Sequence, residues 1–240
     1  VTLCDNGLDA TVSAASPDEP RGRALIDLLS LMRAANVIRL SFNGEPVASL
    51  ATPVVSFSEI SVTPPPGGFL QASREGETAL IDLVRKAASG AKKIADLFSG
   101  CGTFSLPLAK DATVSAFDSD AGSIAALSKA AADAQRTGVA VNPVKAEMRD
   151  LFERPLTAKE LKGFDAVVFD PPRAGAADQA REIAASGVRL VIGVSCNPAT
   201  FARDARILAD AGYALDAATP VDQFVYSSHV ELVGVFRKKP

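Results

Sequence analysis

From residue 69 to the end, short apolar runs alternate with longer stretches whose apolar residues recur every third or fourth position. The runs lie at 93–98, 112–117, 139–145, 164–169 and 188–195, and they read as buried strands. The stretches near 103–110, 120–137, 177–186 and 198–211 read as helices, with a further helix at 74–88 ahead of them. Two more strands, 213–218 and 230–236, close the chain. Buried strands alternating with helices predict an α/β fold built on a doubly wound parallel sheet. Such sheets bind ligands beyond the carboxyl ends of their strands, where the strand order reverses.

The first 66 residues follow a different pattern and predict a small α+β unit. Asn6-Gly7 between residues 1–4 and 8–12 is a hairpin signal. A helix is expected over 21–34, then strands at 37–42, 47–55 and 60–62. Thr63-Pro64-Pro65-Pro66-Gly67-Gly68 continues neither a helix nor a central strand. The expected division is therefore 1–66 and 67–240.

Composition changes this picture little. The chain has 240 residues, of which 48% are hydrophobic and 22% charged, enough for one full core. No apolar run is long enough to span a bilayer, so no membrane partner is expected. Cys4, Cys101 and Cys196 lie far apart, which argues against a disulfide framework and makes the cytoplasm the expected compartment. Three cysteines and one histidine, without a CxxC pair, do not make an ordinary structural zinc site, and no metal is expected. A net charge of −3 argues mildly against nucleic acid, although a basic face can sit on an acidic protein. The chain opens on Val1 without a leader pattern, which reads as a fragment or a processed product.

Candidate chemistry gathers at the strand ends. The first long strand runs into Asp96-Leu97-Phe98-Ser99-Gly100-Cys101-Gly102. A dinucleotide fingerprint would place a third glycine where Ser105 stands, which disfavours NAD. The second strand ends at Asp118, where a carboxylate can accept both hydroxyls of a ribose; the bland alternative is a structural turn. The fourth ends in Asp170-Pro171-Pro172-Arg173, an acid-Pro-Pro element of methyltransferases whose prolines remove donors and leave carbonyls for a substrate. Arg173 stands where amino-group methyltransferases usually carry an aromatic residue, and it suits a phosphate or a uracil carbonyl.

The fifth strand ends in Ser195-Cys196-Asn197-Pro198. A thiol just ahead of a helix gains from the helix dipole, and its pKa is expected to fall. Thiolate addition to carbon 6 of a uracil makes carbon 5 nucleophilic, and a carboxylate must then remove the carbon 5 proton. Glu231 in His229-Val230-Glu231 is the candidate base. Taken singly, each residue has a blander reading: Cys196 as core, His229 as structural, Glu231 as a solvated strand acid.

Together, Gly68-Phe69-Leu70-Gln71, 96–103, 170–175, 195–198 and His229-Val230-Glu231 resemble the RNA 5-methyluridine methyltransferases, the family of the bacterial rRNA and tRNA uracil-5 enzymes. The resemblance covers roughly 36–240 and implies a Rossmann-like class I methyltransferase sheet. It also implies S-adenosylmethionine as cofactor and RNA as partner, rRNA rather than tRNA, with the chain acting as a monomer. Carried over residue by residue, Gln71, Phe98, Gly100, Asp118, Glu147 and Asp170 fall at cofactor positions, Cys196 at the nucleophile and Glu231 at the base. Arg173, Asn197 and His229 are the candidate substrate contacts. The N-terminal barrel and four-cysteine cluster common in the family have no counterpart here. Cytosine-5 methyltransferases, which also use a cysteine, fit less well: the DNA type carries it where Asp170-Pro171-Pro172 stands, and the RNA type usually has cysteines after both the fourth and the fifth strands. A non-catalytic RNA-binding module and an amino-methyltransferase are the remaining alternatives.

Overall fold

The computed structural model describes residues 1–13, 23–223, 226–227 and 229–239. The Asn6-Gly7 turn forms as expected: β1 (Thr2–Cys4) pairs antiparallel with β2 (Gly7–Val12). β3 (Val37–Phe42) and β4 (Glu45–Ser49) extend this to a four-stranded sheet in the order β1-β2-β3-β4. Helix α1 (Arg23–Ala34) packs on it through Met32, which joins Ala10, Leu40 and Ala48 in a small cluster. The first two residues of the expected helix, Arg21 and Gly22, lie outside the described residues.

The strand expected at 47–55 is instead two. Pro53 donates no backbone hydrogen bond, and the chain leaves β4 at Ser49 before entering β5 (Val55–Phe57). β5 pairs with β6 (Ile60–Val62) through a tight turn in which Ser58 and Glu59 both have positive φ, 46° and 74°. Val55, Phe57, Ile60 and Val62 join the main core. Buried Arg39 bonds the carboxylate of Asp9 through two nitrogens, at 2.8 and 2.5 Å, and donates to the Pro64 carbonyl at 2.8 Å. That contact fixes the start of the proline run that borders the site. Removing one partner of a buried pair of this kind costs about 3–5 kcal/mol.

The rest is a seven-stranded sheet in the order β12-β13-β11-β10-β7-β8-β9. Its strands are β7 (Lys93–Leu97), β8 (Thr113–Asp118), β9 (Val144–Met148), β10 (Ala166–Phe169), β11 (Leu190–Ser195), β12 (Tyr213–Val221) and β13 (Glu231–Lys238). All run parallel except β13, which is antiparallel to both neighbours, so the sheet is mixed rather than wholly parallel. Both faces are covered, which is why the central strands read as continuous apolar runs. Ile94, Val114, Val168 and Ile192 meet α2 (Arg74–Ala87) and α4 (Ala121–Arg136) on one face. Ala95, Leu97, Val167 and Val191 meet α6 (Ala177–Ser186) and α7 (Pro198–Asp210) on the other.

Three local expectations are corrected. The strand expected at 139–145 is β9, displaced to 144–148; Pro143 precedes it, and Val139 and Val141 pack on the core from a loop. The helix expected at 103–110 is one turn, α3 (Ser105–Leu108), with Pro107 inside it. A further turn, α5 (Ala158–Leu161), was not anticipated, although Thr157 and Glu160 form a capping box at its start. The strand order reverses between β7 and β10, so the carboxyl ends of those two strands mark the switch point.

Candidate active site

A cavity of about 600 Å³ opens at that switch point. It brings together Gln71, Phe98, Gly100, Asp118, Asp170, Arg173, Cys196 and Glu231, eight of the eleven residues singled out from the sequence. Glu147, Asn197 and His229 do not line it. Glu231 reaches it because β13 runs backwards, placing its first residue at the edge where the parallel strands end.

One wall is the loop after β7. Phe98 has φ 63°, uncommon for a bulky residue, and turns the chain sharply off the strand. Gly102 has φ 102°, and a Cβ there would come within 2.5 Å of Leu127, so only glycine lets the loop settle on α4. The Asp118 carboxylate accepts the Gly100 N–H at 2.8 Å and the Asp120 N–H at 2.9 Å. Asp120 in turn caps α4 by accepting from the Ser123 N–H at 2.7 Å. Phe152 packs on Phe98 with ring centroids 5.4 Å apart and also lines the cavity. Phe152 is inconspicuous in the sequence because it lies in a turn without periodicity. Its one signal was an Asp150 turn just past β9, at the ligand-binding edge of the sheet.

The opposite wall is the acid-Pro-Pro loop. Three of its carbonyls are already bonded within the protein. The Arg173 carbonyl accepts from the Asn197 amide at 3.0 Å and the Thr200 hydroxyl at 3.2 Å. The Ala174 carbonyl accepts from Arg203 at 3.1 Å, and the Pro172 carbonyl from the Gly175 N–H at 2.8 Å. Asp204, buried, accepts the Ala176 N–H at 2.8 Å. Helix α7 thus holds the loop, and Asn197 is both its tie and the α7 cap, accepting from the Ala199 N–H at 3.0 Å. His229 is exposed, and Glu147 lies 3.8 Å from Lys145 on β9.

Cys196, Asp170 and Glu231 form the floor. Glu231 is 6% exposed, so it is not a solvated strand acid. Burial pushes its pKa up. Asp170 is pushed up to about 8, by burial first and then by the carboxylates of Glu231 and Asp96. Asp96, fully buried at the end of β7, rises to about 7 through burial. One Asp96 oxygen accepts from the Ser105 hydroxyl at 2.5 Å, and the other has no partner among the described residues. The Cys196 thiol is raised, by burial first and then by Glu231 and Asp170. This corrects the expectation of a lowered thiol: burial first, and then the two carboxylates, favour the protonated form. Cys101 is buried and raised to about 12, which suits a core thiol.

This arrangement can be set beside known proteins. The family profile described as tRNA (Uracil-5-)-methyltransferase matches residues 59–240. The chain belongs to that family. An RNA methyltransferase of Rhizobium meliloti is 46% identical over 234 residues, covering 98% of this chain and 55% of the relative. The chain thus spans about half the length of such curated relatives. The 23S rRNA (uracil(1939)-C(5))-methyltransferase of Pseudomonas putida is 39% identical over 71% of this chain and 38% of its own. Among solved structures, the Pyrococcus abyssi tRNA (uracil-54, C5)-methyltransferase in complex with S-adenosyl-L-homocysteine superposes with a TM-score of 0.70 at 28% identity, covering 82% of this chain and 50% of that one. The fold is the Rossmann-like one of class I methyltransferases. Among the described residues no helix is long and apolar enough to cross a membrane, and no three His, Cys, Asp or Glu side chains group as metal ligands.

Proposed function

We propose that this chain methylates carbon 5 of a uridine in RNA, using S-adenosylmethionine, with Cys196 as nucleophile and Glu231 as base. The observation that carries the reading is the convergence of Cys196, Glu231 and Asp170 on one cavity at the switch point. The residues fit the cofactor. Asp118 stands at the end of β8, where a ribose is bound in this fold, and its oxygens keep acceptor capacity beyond the two backbone bonds. Phe98 and Phe152 offer apolar surface, and the carboxyl-rich floor suits a ligand that carries positive charge. When bound, S-adenosylmethionine would supply an electrophilic methyl group, the electron pair of the broken carbon–sulfur bond staying on the departing S-adenosylhomocysteine.

The protein's own residues do the rest. The Cys196 thiol gives up its proton to solvent, its thiolate bonds to carbon 6 of the uracil, and the ring electrons move onto carbon 5 and the carbon 4 oxygen. Carbon 5 takes the methyl group. The Glu231 carboxylate removes the remaining proton from carbon 5, the double bond re-forms, and the carbon–sulfur bond breaks to release the thiolate. Burial raises the proton affinity of Glu231, which suits a base that must hold that proton. Arg173, Asn197 and His229 were read as substrate contacts. Of these Arg173 lines the cavity and suits a phosphate or uracil oxygen, while Asn197 acts through the loop it ties down.

Ribosomal RNA is the favoured substrate. Its support is the 39% identity to the 23S rRNA enzyme over 71% of this chain. The direct test incubates the full chain with S-adenosylmethionine and 5-fluorouridine RNA, whose fluorine cannot leave as a proton. A covalent protein–RNA complex, lost in Cys196→Ala, is expected; no complex with active protein sinks the mechanism. Mapping 5-methyluridine in rRNA and tRNA from cells with and without the gene decides the substrate, and new 5-methylcytidine instead would select the cytosine alternative.

A further inference from the structure

Gln71 borders the cavity, yet its amide is oriented from outside it. The Gln71 Oε1 accepts from Nε2 of Gln223 at 2.9 Å. Gln223 lies just after β12, in the connection that leads to Glu231, and its Oε1 accepts the Ser73 N–H at 3.4 Å. Ser73 caps α2, accepting from the Gly76 N–H at 3.1 Å. Gly76 is a costly residue for the first turn of a helix, and the structure gives its reason. A Cβ there would come within 2.3 Å of Gln223 Cγ and 2.5 Å of its Cδ. The bare backbone of Gly76 is the bed on which the Gln223 side chain lies.

We propose that Gln223 is a positioning residue that fixes the Gln71 amide for cofactor binding. The bridge uses one lone pair of Gln71 Oε1 and fixes the plane of the amide, so its NH2 group, a donor for an acceptor atom of the ligand, points in a set direction. Released from Gln223, the Gln71 side chain regains its rotamers and must be reordered each time a ligand binds. The inference rests on the reading of Gln71 as a cofactor contact.

The test measures S-adenosylhomocysteine affinity by calorimetry on the full chain, together with KM for S-adenosylmethionine and kcat on RNA from cells lacking the gene. Gln71→Ala should weaken binding about tenfold. Gln223→Ala should weaken it about fivefold, with KM rising in step and kcat within about twofold. Gly76→Ala leaves every polar group in place but expels the Gln223 side chain, so it should weaken binding as much. Alanine is the better helix former, so Gly76→Ala in the Gln223→Ala background should raise Tm and lose no further affinity. Unchanged affinity in Gln223→Ala beside a weakened Gln71→Ala overturns the inference alone. Unchanged affinity in Gln71→Ala removes its premise and the inference together. Additive losses in the double variant, or a fall in kcat at constant KM, overturn it as well.

Discussion

On the wall formed by the loops after β7 and β8, the Asp118 carboxylate is paired before any ligand arrives: its two oxygens hold the Gly100 and Asp120 N–H groups, and Asp120 caps the helix beyond, while the buried Ser99 hydroxyl has no partner among the described residues. On the floor the reverse holds. Asp170, Glu231 and Cys196 share a cavity in which burial raises all three pKa values and the carboxylates oppose one another. The first wall is a rigid mould whose shape is its contribution. The second is a set of groups at a disadvantage in the free protein, which a ligand can relieve. Strain of this kind gathers where chemistry is done, and the contrast ranks the substitutions.

The largest effects belong to the floor. Cys196→Ala should reduce methyl transfer to background, about 10³-fold or more, while leaving cofactor affinity and Tm near those of the parent. Substantial residual turnover would show that the thiol is not the nucleophile. Glu231→Gln should lower turnover by about 10²–10⁴-fold and still form the protein–RNA adduct, which accumulates because carbon 5 keeps its proton. Denaturing gels read that adduct directly, and normal release kinetics would move the base elsewhere.

The paired wall should respond differently, through binding and stability. Asp118→Ala frees the Gly100 and Asp120 N–H groups and should destabilise by about 1–3 kcal/mol. Cofactor affinity should fall about tenfold, and kcat at saturating cofactor should change least. A variant in which kcat alone collapsed would erase the distinction between the two walls.

A separate effect is that of pH on stability. A carboxyl raised in the folded state contributes stability that is complete below its unfolded pKa and is lost as pH rises through its folded pKa. Asp96 and Asp170 shift from an ordinary 3.8 to about 7 and about 8, so Tm should decline from about pH 4 to pH 8. Asp96→Asn should flatten that decline, and an unchanged slope would mean that Asp96 does not titrate there.

The two walls also differed in how far the sequence disclosed them. The succession of strands and the strand-end positions of Asp118, Asp170 and Cys196 are legible because strand ends are marked by apolar runs giving way to glycine, proline and acid. Relations across the sheet were not. Nothing in the local pattern says that β13 runs backwards or that its first residue is buried. Nor does it say that Gln223 rests on Gly76, 147 positions earlier in the chain. The Ser58-Glu59 turn was missed because neither residue is the glycine or asparagine that advertises positive φ. The raised Cys196 thiol is not legible either, because a helix start is visible in sequence, whereas its burial and the carboxylates that follow β10 and open β13 come from the fold.

The raised thiol supplies the subtlest test of the contrast. Alkylation by iodoacetamide follows the thiolate fraction, so its rate against pH reports the Cys196 titration. Cys4 and Cys101 are buried, and Cys101 stays protonated to about 12, so the accessible signal is that of Cys196. In the parent protein the profile should lie above that of a free thiol, because burial and the Glu231 and Asp170 charges all favour the protonated form. Glu231→Gln removes one of those charges at nearly constant volume, so the midpoint should move down. Asp170→Asn should move it less, since Glu231 is the larger of the two influences. A midpoint already below that of a free thiol in the parent would mean that the helix start prevails after all. The floor would then be as settled before ligand binding as the wall beside it.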